Sequence, residues 1–154
     1  MFKEMRRKEK KLNKKDIISL LEKTNYGTLS ICLDNGYAYG VPVNFVYNNE
    51  AIYFHCAKEG QKIQAISANN KVSFSIVNNI ELLPSKFDTN YESVIIFGKA
   101  YEVFENEKKE ALLAFINKYS KDYIKEGKDY IEKAHNKTKV IKIEIKHIDG
   151  KGQK

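Results

Sequence analysis

Apolar positions along this chain follow two periods, and the switches between them outline the elements. Helical spacing over residues 13–25 puts Ile17, Leu20, Leu21 and Thr24 on one face, with Asn13 as N-cap and Asp16 in the first turn. Period two follows, with Leu29, Ile31 and Leu33 alternating with Thr28, Ser30 and Cys32. Asp34-Asn35-Gly36 reads as a turn. A long strand is predicted over residues 37–47, and Asn48-Asn49 turns it into another over 51–56. A short helix is expected over residues 60–69 and a strand over 72–77. Residues 78–90, which include Pro84, read as irregular. Residues 91–104 read as a long or bent strand with Gly98 at the bend. The strongest helical stripe is Leu112, Phe115, Ile116, Tyr119 and Tyr123, predicting a helix over 107–125. The last strand, 139–147, alternates Ile141, Ile143 and Ile145 with charged residues.

Consecutive short strands joined by tight turns pair antiparallel. About six of them with flanking helices predict a mainly β domain with α, closed or nearly closed into a barrel, because closure removes unpaired edges. An open α+β sheet is the alternative. With no repeat and no linker, the 154 residues read as a single domain, preceded by a basic arm over residues 1–12.

Charge sharpens this picture. Residues 1–15 hold eight basic and two acidic side chains, so this stretch carries +6 of the formal +7 and the remaining 139 residues carry +1. A balanced body argues against nucleic acid as partner, since such binding prefers basic groups spread over a folded face. The arm is a solubilising tail or a reach towards an anion, such as one held by a second subunit. No apolar run has the length of a membrane span, and the basic start lacks a secretory apolar stretch. Cys32 and Cys56 match no metal-ligand spacing and read as two buried thiols in a reducing cytoplasm. No metal cluster, phosphate-binding glycine loop or nucleophile elbow is present.

Two stretches carry candidate chemistry. His55-Cys56-Ala57-Lys58-Glu59-Gly60-Gln61-Lys62 crosses from a strand end to a helix start. Unpaired N–H groups there attract anions, and Lys58 and Lys62, poorly placed for the helix dipole, would be explained by a phosphate. The plainer reading turns both lysines into water. In Val41-Pro42-Val43-Asn44, Pro42 cannot donate to a ladder, so it marks an edge or an interruption where a flat ligand could meet free backbone groups. The plainer reading is an ordinary edge strand. His55, beside the phosphate candidate, suits proton transfer near neutral pH, or it is a structural histidine. His135 and His147 have no sequence neighbour that points to catalysis.

These stretches, in this order, resemble the pyridoxamine 5′-phosphate oxidase-like FMN-binding split-barrel superfamily, and within it the nitroimidazole-resistance (Nim-type) proteins. The carrying segments are Met5-Arg6-Arg7-Lys8, Tyr39 to Phe45, Ile52 to Lys62, Tyr91 to Ala100, and Val140 to Ile145 with Gly150-Lys151 beyond. The resemblance implies a homodimer with flavin mononucleotide (FMN) at the interface. Val41, Pro42, Val43 and Asn44 would lie along the isoalloxazine ring. His55, Cys56, Ala57, Lys58 and Lys62 would hold the ribityl chain and phosphate, with Ser93 and Val94 near the cofactor. His55 matches the position discussed as catalytic in Nim-type proteins. The implied activity is flavin-mediated reduction of a small-molecule acceptor such as a nitroimidazole. Glu92 and Ile96 depart from the family pattern, which often has a basic residue and a glycine there, as does Asp149, which replaces a hydroxyl residue. Two further readings are a non-catalytic flavin carrier or sensor, and an OB-like single-stranded nucleic-acid module stacking bases on Tyr37, Tyr39, Phe45 and Tyr47.

Overall fold

A computed structural model describes residues 1–153. It contains seven strands in one antiparallel sheet and four α-helices. The first helix, α1 (Lys14–Lys23), starts where the sequence places it: the Asn13 side chain accepts the N–H of Asp16 at 2.8 Å. The strands are β1 (Tyr26–Cys32), β2 (Ala38–Asn44), β3 (Val46–Asn48), β4 (Ala51–Ala57), β5 (Lys71–Leu83), β6 (Asp88–Val103) and β7 (Thr138–Gln153). Helix α2 (Gln61–Ala68) follows β4, and α3 (Glu105–Tyr119) and α4 (Ile124–Ala134) separate β6 from β7.

Strand order is β2-β1-β5-β6-β7-β4-β3. Its first and last members are the two halves of the single strand predicted over 37–47, so the sheet curls round and returns to the same segment. That is a split barrel, and the split lies at Phe45. Counting β2 and β3 separately gives seven strands where the sequence predicts about six. The break has a visible cause. The Phe45 ring is fully buried, and its backbone faces α3 instead of a strand.

Period two sets what lies inside the barrel. Leu29 and Ile31 of β1, Val72, Phe74 and Ile76 of β5, Val94 and Ile96 of β6, and Ile141 and Ile143 of β7 form one core with Phe45, Ile52 and Phe54. Ile17, Leu20 and Leu21 of α1 plug one end of it, and Ala65 and Ile66 of α2 pack into the other. Gly27 is required because a Cβ there would come within 2.1 Å of the Phe74 ring. Gly98 sits at a register shift between β6 and β7, where a Cβ would come within 2.3 Å of the Glu144 carbonyl. This bend was legible in the sequence.

Three expectations need correction. Residues 78–90 are not irregular: β5 and β6 continue as a hairpin across a bulge between Asn78 and Glu81, with Pro84–Lys86 as its tip. Backbone pairing holds this hairpin, while Ile80, Leu82 and Phe87 are exposed, so burial periodicity gives no signal for it. The helix expected over 107–125 ends at Tyr119, and a second helix, α4, turns back across it after Ser120. Tyr123 is therefore exposed and leaves the apolar stripe. Finally, the thiols are not both buried: Cys32 is exposed on the outer side of β1 and Cys56 is half-buried.

Candidate functional site

The outer side of the barrel is finished in two ways. Over β3, β4 and β7 it is covered by α3 and α4, through a second core of Val46, Tyr53, Val103, Ala111, Phe115 and Val140. Over β2, β1, β5 and β6 it remains a bare sheet face. Register places Pro42 beside Thr28, Thr28 beside Ser75 and Ser75 beside Ile95 in one outward row. A parallel row holds Gly40, Ser30, Ser73, Phe97 and His147. Small residues at the β2, β1 and β5 positions leave the face concave.

Two concavities lie side by side on it. One, of about 460 Å³, is lined by Tyr26, Thr28, Pro42, Ser75, Ser93 and Ile95 among others, and brings together the predicted residues Pro42 and Ser93. The other, of about 590 Å³, lies towards the α2 end, between Ser30–Cys32, Lys71–Ser73 and Phe97–Lys99. Ligand pockets commonly fall in this size range. Pro42 lies on the edge strand, paired with β1 through an unbroken ladder from Ala38 to Asn44, as its missing N–H requires. Val41 and Val43 turn towards the core, so on this edge strand they offer backbone, not side chains, to the outside, whereas Val94 is buried in the core on a strand paired on both sides. Asn44 donates its amide to the Asn25 carbonyl at 3.0 Å.

The β4–α2 junction is open. Ala57, Lys58, Glu59 and Gly60 are exposed, and Lys62 is half-exposed. Gly60 is the N-cap at φ 147°, in the region that favours glycine, and no side chain caps the helix. The first N–H groups of α2 are therefore presented to the outside beside Lys58 and Lys62. Inside the junction, burial raises the Cys56 thiol pKa, partly opposed by the Lys62 and Lys139 charges.

His55 lies elsewhere. Its ring packs edge-on against Phe115 of α3 at 4.7 Å, beside Leu112, Tyr130 and Thr138. Partial desolvation by these groups lowers its pKa below the usual histidine value, while the residue as a whole remains exposed. Within one chain, then, Pro42 and Ser93 share the bare face, whereas His55 sits on the helix-covered flank.

Glu92 is not on the bare face. Its side chain is buried on the inner side of β6 and accepts the Asn79 amide at 2.6 Å. Ile96 is a core residue. Asp149 bonds His147 Nε2 at 2.8 Å, a pairing on one strand face that the His-x-Asp spacing could have revealed. The aromatic stacking face imagined for nucleic acid does not form, because Phe45 is buried and Tyr39 and Tyr47 pack on the core.

The sequence also gave no sign of Lys118. Its ammonium donates to the carbonyls of Thr24 at 2.6 Å, Phe45 at 3.1 Å and Leu21 at 3.4 Å, and lies 4.1 Å from the centre of the Phe45 ring. The Tyr119 hydroxyl donates to the Phe45 carbonyl at 2.6 Å, lies 2.9 Å from the Asn25 carbonyl and accepts the Phe45 N–H at 3.2 Å. Together they pin the barrel's split to the end of α1. Burial pushes the Lys118 pKa down to about 8.

The family model for pyridoxamine 5′-phosphate oxidase matches residues 13–152. The chain belongs to the pyridoxamine 5′-phosphate oxidase family. The likeness to Nim-type proteins holds as well. A candidate 5-nitroimidazole antibiotic resistance protein from Bacteroides thetaiotaomicron is 27% identical, with a TM-score of 0.80 over 92% of this chain and 86% of that one. A conserved hypothetical protein from Mycobacterium tuberculosis shares the fold at a TM-score of 0.83, with 17% identity over 97% and 90% of the two chains. An FAD-binding protein from Mesorhizobium loti shares it at 0.69, with 20% identity over 94% and 97%. Comparison with curated proteins finds no match. No helix among the described residues is long and apolar enough to cross a membrane.

Proposed function

We propose that this family member binds FMN between two copies of the chain and passes electrons to a small-molecule acceptor, with nitroimidazole-type compounds as candidate substrates. The observation that carries this reading is the open β4–α2 junction, an uncapped helix start flanked by two lysines, in a chain whose bare sheet face joins Pro42 to Ser93. The residues fit the cofactor's parts. Helix N–H groups with Lys62 suit a phosphate dianion, and Lys58 adds a second cation. The Pro42 edge and the Ser93 hydroxyl suit the rim of a flat polar ring.

A bound flavin supplies the electron chemistry. The chain supplies position, exclusion of water and proton handling. His55, made harder to protonate beside Phe115, fits a neutral imidazole that donates its ring N–H rather than an imidazolium acid. Because His55 and the Pro42–Ser93 pocket lie on different flanks of one chain, a site using both needs a second copy, which supports the homodimer. The free, partly accessible thiols fit the cytoplasm.

The test is an absorption spectrum of the purified protein, followed by FMN titration and reduction. A yellow protein that bleaches with dithionite and recolours with metronidazole supports the reading. Absence of flavin absorbance together with failure to take up FMN rejects it. Lys62→Gln should weaken FMN binding about tenfold or more, as expected for losing a phosphate ion pair. A dimer that becomes monomeric without flavin would be a carrier or sensor if no acceptor reoxidises the flavin.

A further inference from the structure

The Pro42–Ser93 pocket ends at the barrel's split. Tyr26 and Pro42 line it, one at the start of β1 and the other near the end of β2. Strand pairing stops at this corner. The β1–β2 ladder closes with Tyr26 opposite Asn44, the β3–β4 ladder begins with Val46 opposite Tyr53, and Phe45 belongs to neither.

Two adjacent side chains in the last turn of α3 replace the missing pairing. The Tyr119 hydroxyl accepts the Phe45 N–H and lies within hydrogen-bond distance of the Phe45 and Asn25 carbonyls. The same Asn25 carbonyl takes the Asn44 amide at 3.0 Å. One hydroxyl thus stands in for the strand partner that Phe45 lacks, and backbone groups in such a corner need one. The Lys118 ammonium reaches the Phe45 carbonyl too, together with those of Leu21 and Thr24 at the C-terminal end of α1, where a cation suits the helix dipole.

Burial of the Phe45 ring does not require these bonds. The ring is fully buried and meets Phe74 edge-on at 4.9 Å, which anchors the side chain. What the bonds add is the orientation of the peptide planes at Asn25 and Phe45. Asn25 leads directly into Tyr26, and Phe45 follows Asn44 two residues after Pro42. The sealed flank therefore reaches across the split and holds one end of the bare-face pocket. Lys108, ten positions earlier on α3, makes a useful contrast: it is buried as well, but donates to the His135 carbonyl at 2.6 Å, away from β1 and β2.

We propose that Tyr119 and Lys118 are positioning residues for the bound flavin: by fixing the backbone at Asn25 and Phe45 they set the spacing of Tyr26 and Pro42 along the ring's edge. This rests on the flavin reading above.

The test compares three variants of the full chain with the parent. Tyr119→Phe deletes the hydroxyl and keeps the ring stacked on Phe115 at 5.8 Å. In FMN titration it should bind about tenfold more weakly, as expected for loss of one well-placed hydrogen bond, and the visible band of the bound flavin should move towards that of free FMN. Hydrogen exchange of the peptide spanning residues 43–48 should be about tenfold faster. Lys118→Met should show the same changes. Lys108→Met should lower the urea midpoint while leaving FMN affinity and the flavin band as in the parent. If the parent binds FMN and Tyr119→Phe leaves affinity and band unchanged, the positioning role is overturned and the flavin reading stands. Equal weakening by Lys108→Met overturns it as well, since lost stability alone would then account for the effect. A parent that takes up no FMN rejects the flavin reading and the positioning role with it, and faster exchange in Tyr119→Phe would then mark a purely structural lock. If Lys118→Met does not fold, Tyr119→Phe and Lys108→Met decide the matter.

Discussion

The two flanks of this barrel are made from strands with the same inward periodicity, yet one is sealed and the other bare. On the sealed flank, α3 and α4 cover β3, β4 and β7, and polar groups are tied down wherever they enter. Tyr53 donates to Glu107 Oε2 at 2.7 Å, Lys142 pairs with the same oxygen at 3.2 Å, and buried Lys108 donates to the His135 carbonyl at 2.6 Å. On the bare flank, Val77, Ile95 and Phe97 remain exposed beside threonine, serine and proline. Within one chain only half of the outer wall is covered, which leaves the other half to meet a ligand or another copy.

That contrast breaks most readily at Phe115. Truncation to alanine should cost about 3–5 kcal/mol, because the ring joins the sealed core to His55 and Tyr119. Urea unfolding measures it, and a loss below about 1 kcal/mol would mean the helices cover the flank without supporting it. Next comes Lys118→Met, which should cost about 2 kcal/mol, since three carbonyls at the barrel's split lose a charged donor. On the bare flank, Ile95→Thr should change monomer stability by only about 0.5 kcal/mol while weakening flavin uptake or self-association. If Ile95→Thr destabilises as much as Phe115→Ala, the two flanks are not different in kind.

The smallest effects are in pH. The Lys118 pKa is lowered to about 8 in the folded chain, so between there and the free lysine value the unfolded chain binds more protons. Its contribution to stability therefore rises with pH across that window, and Lys118→Met should flatten the slope. Partial desolvation lowers the His55 pKa as well, so its contribution falls as pH drops below about 6.5. Phe115→Ala should move the His55 titration, followed by NMR, back towards that value.

Much of the frame was readable in advance. Asn13 as a cap, the alternation in β1, the bend at Gly98 and the helix beginning after Gly60 each depend on neighbours within a few residues, so the chain announces them. Pro42 as an edge residue was legible for the same reason: its missing N–H is a property of the residue alone. The hairpin through residues 78–90 was not, because cross-strand hydrogen bonds hold it and its apolar side chains stay exposed. Nor was Lys118, whose three acceptors come from segments 73 to 97 positions away. His147 with Asp149 lay between these cases. The pairing is local, but the ring stack that His147 joins depends on Phe97 and Phe2 arriving from distant parts of the chain.

By itself the sequence determined which side of each strand turns inward, where the first two helices begin, and that an uncapped helix start would follow β4. Those are consequences of local backbone chemistry and of apolar side chains leaving water. Only the tertiary structure decided which outer flank the helices would cover, and therefore that Pro42 and Ser93 would share an open face while His55, itself still exposed, would pack edge-on beside Phe115. Coverage is a matter of how distant segments pack, and no periodicity along a single strand encodes it.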